Sequence, residues 1–291
     1  WVGVEEDETI TLFDLKNGCD QGFIFFPGTD EQVLAIHPEG HLIATLCGNR
    51  ITLHMPDDKV LSSVTTPTQK VLCCEEPLAF SACGNYLWVA SSPEEGAASL
   101  LLLEVPSLAI LDQIDAPSDP MNPEDVGPPS WGDLIMKVWS PVNALVLSRS
   151  DGFDFLTLTF HSAARGRIQA LPQRITQSNE HGIFDSFEYV AFHPRGERFA
   201  ASGCLGDLYE LIWPDCRVSG AIHELLPSWN EDEESNEELD NREIAYVGDH
   251  LVIEREVVDS GTLTRRGVIA DDQLCCLSNG LFRREFKERS D

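Results

Sequence analysis

Apolar and polar positions along this 291-residue chain alternate in short runs broken by turn residues, and the pattern predicts strands almost throughout. The clearest stretch is Tyr189–Gly203, YVAFHPRGERFAASG. Val190 and Phe192 alternate with small neighbours, His193-Pro194-Arg195-Gly196 supplies a turn, and Phe199-Ala200-Ala201 resumes the apolar run. The same arrangement occurs at Val33–Thr45, VLAIHPEGHLIAT. No segment sustains a helical stripe over three turns, so layered α/β architectures are excluded.

In chain order, Trp1–Gly18 reads as strand, polar turn, strand, and Gly22–Pro27 as a further short strand. Val33–Ile36, His41–Leu46, Arg50–Met55 and Val60–Val64 make a group of four, followed by Pro77–Ser81, Tyr86–Ala90, Leu100–Val105 and Leu108–Ile114. Met136–Ser140, Ala144–Ser148, Phe153–Phe160 and Gly166–Leu171 make a third group. The hairpin at Tyr189 with Asp207–Trp213 and Val218–Glu224 makes a fourth. Ile244–Val247, Leu251–Val257, Leu263–Ala270 and Leu274–Leu277 are the least regular. Aligned on their turns, His37, Ser81, Ser140 and His193 are equivalent positions. Their spacings of 44, 59 and 53 residues give a unit near the length of a four-stranded propeller blade.

Two stretches break the rhythm. Ala116–Gly132 holds five prolines and reads as an inserted surface loop. Asn230–Glu243 is dominated by Glu and Asp and is expected to be a solvated loop.

These repeats resemble the WD40 family of β-propellers, with a likeness also to propellers of the YVTN and lactonase type. FHPRGERFAASG and IHPEGHLIATLCGNRITL are similar to the first strand, turn and second strand of a WD40 unit, and Phe13-Asp14 falls where its Trp-Asp pair would be. The resemblance points to Asp207 as the residue nearest the aspartate of the family's hydrogen-bonded tetrad. It implies an all-β propeller of six or seven four-stranded blades, one domain over residues 1–291. A partial first blade would span 1–30, with further blades near 33–72, 77–115, 134–172, 187–226 and 244–291, and inserted loops at 116–133 and 227–243. Because Trp1 falls in mid-hairpin, the chain is expected to be part of a longer one, with Gln273–Leu277 a possible source of the missing first strand.

Composition narrows the functional classes. The formal charge is −29, from 49 acidic against 20 basic residues, so nucleic-acid phosphates and anionic membranes are unsuitable partners. No run approaches the ~18 apolar residues of a membrane span. The nine cysteines form no CxxC pair and are odd in number, which fits a reducing, intracellular (cytoplasmic) setting. Cys47, Cys83 and Cys204 lie in apolar runs and read as small hydrophobes.

Catalytic signals are weak. GxSxG, GxGxxG and the P-loop pattern are absent, and Cys73-Cys74 and Cys275-Cys276 lack a local base. His37 and His193 read as turn residues bonded to local backbone. His41, His161, His181, His223 and His250 show no HxxxH or HxH spacing among themselves. Asp57-Asp58, Glu75-Glu76 and Asp271-Asp272 read as solvated acids rather than calcium ligands. No catalytic residue, metal or cofactor is therefore expected.

Trp139 and Trp213 read as core, whereas Trp131 and Trp229 flank the irregular loops and are candidate binding anchors. With the acidic run Glu231, Asp232, Glu233, Glu234, Glu237 and Glu238, they form the expected contact surface for a protein partner with a basic face. The expected function is a non-enzymatic interaction scaffold, a monomeric module of a larger protein or complex. The alternatives are a lactonase-like hydrolase with a divalent ion in a central channel and a glycan- or ligand-binding lectin-type propeller.

Overall fold

The computed structural model describes residues 2–6, 9–14, 19–25, 32–55, 59–66, 77–91, 99–115, 135–150, 156–176, 187–203, 208–222, 244–253, 256–268, 274–277 and 280–283. All of the regular structure there is β, apart from a single 3₁₀ turn at Ser140–Val142. The chain divides into two compact units, residues 1–150 with 158–172 and residues 151–157 with 173–291.

In the first unit β1 (Val2–Glu6), β2 (Thr9–Asp14) and β3 (Cys19–Phe25) form a three-stranded sheet. β4 (Gln32–Ile36), β5 (Ile43–Cys47), β6 (Arg50–His54) and β7 (Val60–Thr65) form the next. β8 (Leu78–Phe80), β9 (Tyr86–Ser91), β10 (Ser99–Glu104) and β11 (Ile110–Asp115) follow. A fourth sheet contains β12 (Ile135–Trp139), β13 (Ala144–Ser150), β14 (Leu156–Ala164) and β15 (Arg167–Thr176).

The second unit holds β16 (Phe187–Phe192), β17 (Arg198–Gly203), β18 (Leu208–Ile212) and β19 (Arg217–Ile222) in one sheet. Another contains β20 (Ile244–Val247), β21 (His250–Ile253), β22 (Glu256–Asp259) and β23 (Thr264–Val268). β24 (Leu274–Leu277) pairs with β25 (Gly280–Arg283). Among the described residues there are thus five four-stranded antiparallel meanders, and the first strands β4, β8 and β12 lie side by side, as do β16 and β20. This is a β-propeller.

The hydrophobic core lies between sheets rather than on one face of each. In β10, Leu101 and Leu103 face the preceding sheet, packing with Leu53 there and with Phe80 of their own sheet, while Leu100 and Leu102 pack toward the following sheet with Met136 and Leu145. All four leucines are fully buried, so a continuous apolar run is what a strand sandwiched on both faces requires. The last strands show the reverse. Val60 and Leu61 on β7, Ile110 on β11 and Val218 on β19 are exposed at 58%, 44%, 43% and 49%.

Most strand expectations agree with the structure to within one or two residues, and two differ in kind. Leu251–Val257 is two strands, β21 and β22, so the least regular repeat contains a full four-stranded sheet. Leu108 belongs to no strand. It has φ 56°, its N–H donates to the Glu104 carbonyl at 2.8 Å, and its buried side chain joins the core.

Candidate functional site

The aligned turn positions are structurally one device. The N–H of His37, Ser81 and His193 donates to the carbonyl five residues on (Leu42, Tyr86, Arg198) at 2.9, 2.9 and 3.0 Å. Gly40, Gly84 and Gly196 donate back to the first residue at 2.7, 2.9 and 2.9 Å, with φ of 72°, 72° and 76°. That left-handed conformation is why glycine recurs there, and Asn143 takes the same place in the Ser140 turn with φ 50°.

The turn histidines also reach the neighbouring sheet. His37 Nδ1 accepts the Glu39 N–H at 3.1 Å while its Nε2–H donates to the Gly84 carbonyl at 3.2 Å. His193 Nδ1 accepts the Arg195 N–H at 3.2 Å, and its Nε2–H donates to Asp249 Oδ1 at 3.3 Å. Arg195 holds the same carboxylate oxygen. His37 stands edge-on to Phe80 at 5.2 Å and His193 to Tyr246 at 4.9 Å, so the two junctions share one geometry. The expectation of backbone-bonded turn histidines agrees with the structure, and the bond to the next sheet is an addition to it.

Glu210 is the second polar feature, and sequence reasoning missed it. It is fully buried on β18. Its carboxylate accepts from Tyr246 Oη at 3.1 Å, Ser260 Oγ at 2.5 Å, the Gly261 N–H at 2.9 Å, Ser219 Oγ at 3.3 Å and Arg198 Nη1 at 3.3 Å. Burial, then the Glu210 charge, hold the Tyr246 phenol far above its ordinary pKa, so it remains a donor. Register makes Leu53 and Leu102 the counterparts of Glu210: each pairs with the second residue after its turn, Ala44, Trp88 and Ala200 respectively. Where Leu53 packs with Phe80, Glu210 bonds Tyr246.

Further polar contacts join sheets of the first unit. Asp112 on β11 accepts the Ile168 N–H of β15 at 2.8 Å, and this bond holds its carboxyl below the usual range. Ser62 on β7 donates to the Pro106 carbonyl at 2.5 Å.

The remaining sequence candidates divide. Trp131, Trp229, Glu231, Asp232, Glu233, Glu234, Glu237 and Glu238 lie outside the described residues, as do Asp57-Asp58, Cys73-Cys74, Glu75-Glu76, Cys204, Asp207 and Asp271-Asp272. Trp139 is buried as expected, whereas Trp213 is half-buried at a turn before a cis proline. Cys83 is exposed rather than core. Burial works to raise its thiol pKa, but hydrogen bonds with Ser81 and Asn85 outweigh it and hold the thiol below its ordinary value.

The described residues also contain one His/Glu/His group, His37, Glu39 and His41, whose ligand atoms lie within 4.8 Å of one another. Its sequence signal is the HxxxH spacing of His37 to His41, which disappears when the turn histidine is considered apart from the others. No helix among the described residues is long and apolar enough to cross a membrane.

Comparison with known proteins supports the fold. No family model matches the chain, and no curated protein matches it. The solved structure of dihydro-heme d1 dehydrogenase NirN in complex with DHE aligns at TM-score 0.58 and 14% identity, over 98% of this chain and 54% of that one. The Cps50 (Swd1) β-propeller domain of Myceliophteria thermophila aligns at TM-score 0.55 and 11% identity, over 90% and 80%. The chain therefore spans about half the length of the NirN chain.

Proposed function

We propose that this propeller is a non-enzymatic protein-interaction scaffold whose acidic surface receives a basic partner. One observation carries the reading: most of the described buried ionisable side chains join strands or sheets. His37 and His193 close turns onto the next sheet, Glu210 is saturated by five donors, and His54 on β6 bonds Thr45 on β5. The crevice lined by Ser81, Trp88, Val138 and Asn143 has no room for a water molecule. A rigid frame of this kind presents loops and outer strands as a contact surface. The excess of 49 acidic over 20 basic residues supplies long-range attraction for cations.

The partner surface is the acidic stretch 230–243 with Trp131 and Trp229 as anchors. The test is a chain lacking residues 230–243, titrated with a Lys/Arg-rich peptide by calorimetry at low and at raised salt. The expected result is an unchanged unfolding midpoint and at least a tenfold loss of low-salt affinity, about 1.4 kcal/mol. Equal affinity of the two chains at low salt refutes this assignment.

A further inference from the structure

The turn at residues 37–41 carries more than its structural role needs. Its counterpart at 193–197 makes the same backbone and Nδ1 hydrogen bonds with the sequence HPRGE. The first turn reads HPEGH, placing a carboxylate where the other has Arg195 and an imidazole where it has Glu197. We propose that His37, Glu39 and His41 form a binding site for a first-row divalent metal cation, zinc foremost.

Two imidazoles and a carboxylate are a set that zinc accepts with the fourth position left to water or to a partner's side chain. The three ligand atoms lie within 4.8 Å of one another. Tetrahedral zinc with bonds near 2.0–2.1 Å spaces its ligands about 3.3 Å apart, so the group must close by roughly 1.5 Å. That closure falls on side chains in water, since His41 and Glu39 are 53% and 79% exposed and already pair at 3.5 Å. The His37 and His41 ring centroids lie 4.0 Å apart, with the rings tilted 54° to each other.

His37 is the fixed ligand. Its Nε2 is committed to the Gly84 carbonyl and lies so close to the Gly84 backbone that a Cβ there would sit 2.0 Å away. This fixes the tautomer and leaves the lone pair on Nδ1, as the hydrogen bond from the far ring nitrogen does in metal-bound imidazoles. A cation at Nδ1 replaces the hydrogen bond from the Glu39 N–H at 3.1 Å. Burial, with the His41 ring as the second cause, lowers the pKa of His37.

The experiment titrates zinc into the metal-free 291-residue chain, with affinity and stoichiometry read by calorimetry and the imidazole Cε1–H resonances followed by NMR. The nine cysteines also attract zinc, so the variants decide. His41→Ala and Glu39→Gln alter exposed side chains, and His250→Ala is an exposed control. The expected result is one tightly held zinc at about micromolar Kd, weakened about tenfold or more by His41→Ala and by Glu39→Gln and unchanged by His250→Ala. The His37 and His41 resonances move together. Zinc binding of the same affinity in His41→Ala, no binding at about a hundred times that concentration, or binding without movement of both resonances overturns the proposal.

Discussion

Acid should destabilise the first unit through His161. This residue on β14 is 5% exposed, its Nε2 contacts Thr159 Oγ1 at 3.1 Å, and its Nδ1 has no hydrogen-bond partner among the described residues. Burial pushes its pKa down from 6.5 to about 4. The sign follows from proton counts. Between those values the unfolded chain binds the proton and the folded chain does not, so stability is complete above about pH 6.5 and is lost as pH falls toward about 4. At about 1.4 kcal/mol per pH unit, the loss is about 2 kcal/mol between pH 7 and pH 5, and about 3 kcal/mol by pH 4. The isoelectric point near 4.4 makes pH 5 a practical lower limit for soluble protein. Urea unfolding of the wild type and of His161→Leu across that range isolates the term, because contributions from other groups cancel in the difference. The wild type should lose about 2 kcal/mol more than the variant on going from pH 7 to pH 5. Parallel stability curves would refute the reasoning, as would an NMR titration in which His161 protonates near pH 6.5.

Two glycines test the turn device. Gly84→Ala puts a Cβ 2.0 Å from His37 Nε2 at φ 72° and should cost about 2–4 kcal/mol. Gly48→Ala, at φ 60° with nothing within 4 Å, should cost about 1 kcal/mol of backbone strain alone. Equal costs in urea unfolding would remove the His37 contact from the account. Glu210→Leu restores the residue type found at 53 and 102, yet it should destabilise by about 3–5 kcal/mol, because Tyr246, Ser260 and Gly261 lose their acceptor and Arg198 its counter-charge. An unfolding midpoint at or above that of the wild type would show that these donors find partners elsewhere.

What the sequence made legible was set by range. The turns at His37, Ser81 and His193 close through hydrogen bonds spanning five residues, so the residues that make them stand together in the text. Glu210 could not be found that way. In LYELI it reads as one polar position of an ordinary strand, and its partners stand 9 to 51 residues away at Ser219, Arg198, Tyr246, Ser260 and Gly261. The break between β21 and β22 was hidden for a different reason. VIEREV carries no glycine or proline, so no turn residue marks the point between β21 and β22, where Val252 pairs with Ala245 on one side and Val257 on the other. The His37–Glu39–His41 group was legible in HPEGH, but the structural duty of His37 drew attention from its neighbours.

Taken together, the junctions suggest a division of labour between apolar burial and polar bonding. Apolar packing drives adjacent sheets together without fixing which sheet follows which, since Leu53 and Leu102 present nearly interchangeable surfaces. The junction of β18 with β20 and the β22–β23 turn is different. A carboxylate there finds five donors only when Tyr246, Ser260 and Gly261 are opposite it, and leaves a buried charge uncompensated against any other surface. Glu210 therefore sets the correct neighbour apart from a wrong one in addition to any net stability it contributes. A buried ion at one junction in a series of leucines is the arrangement expected of a repeat chain that must place similar sheets in a single order.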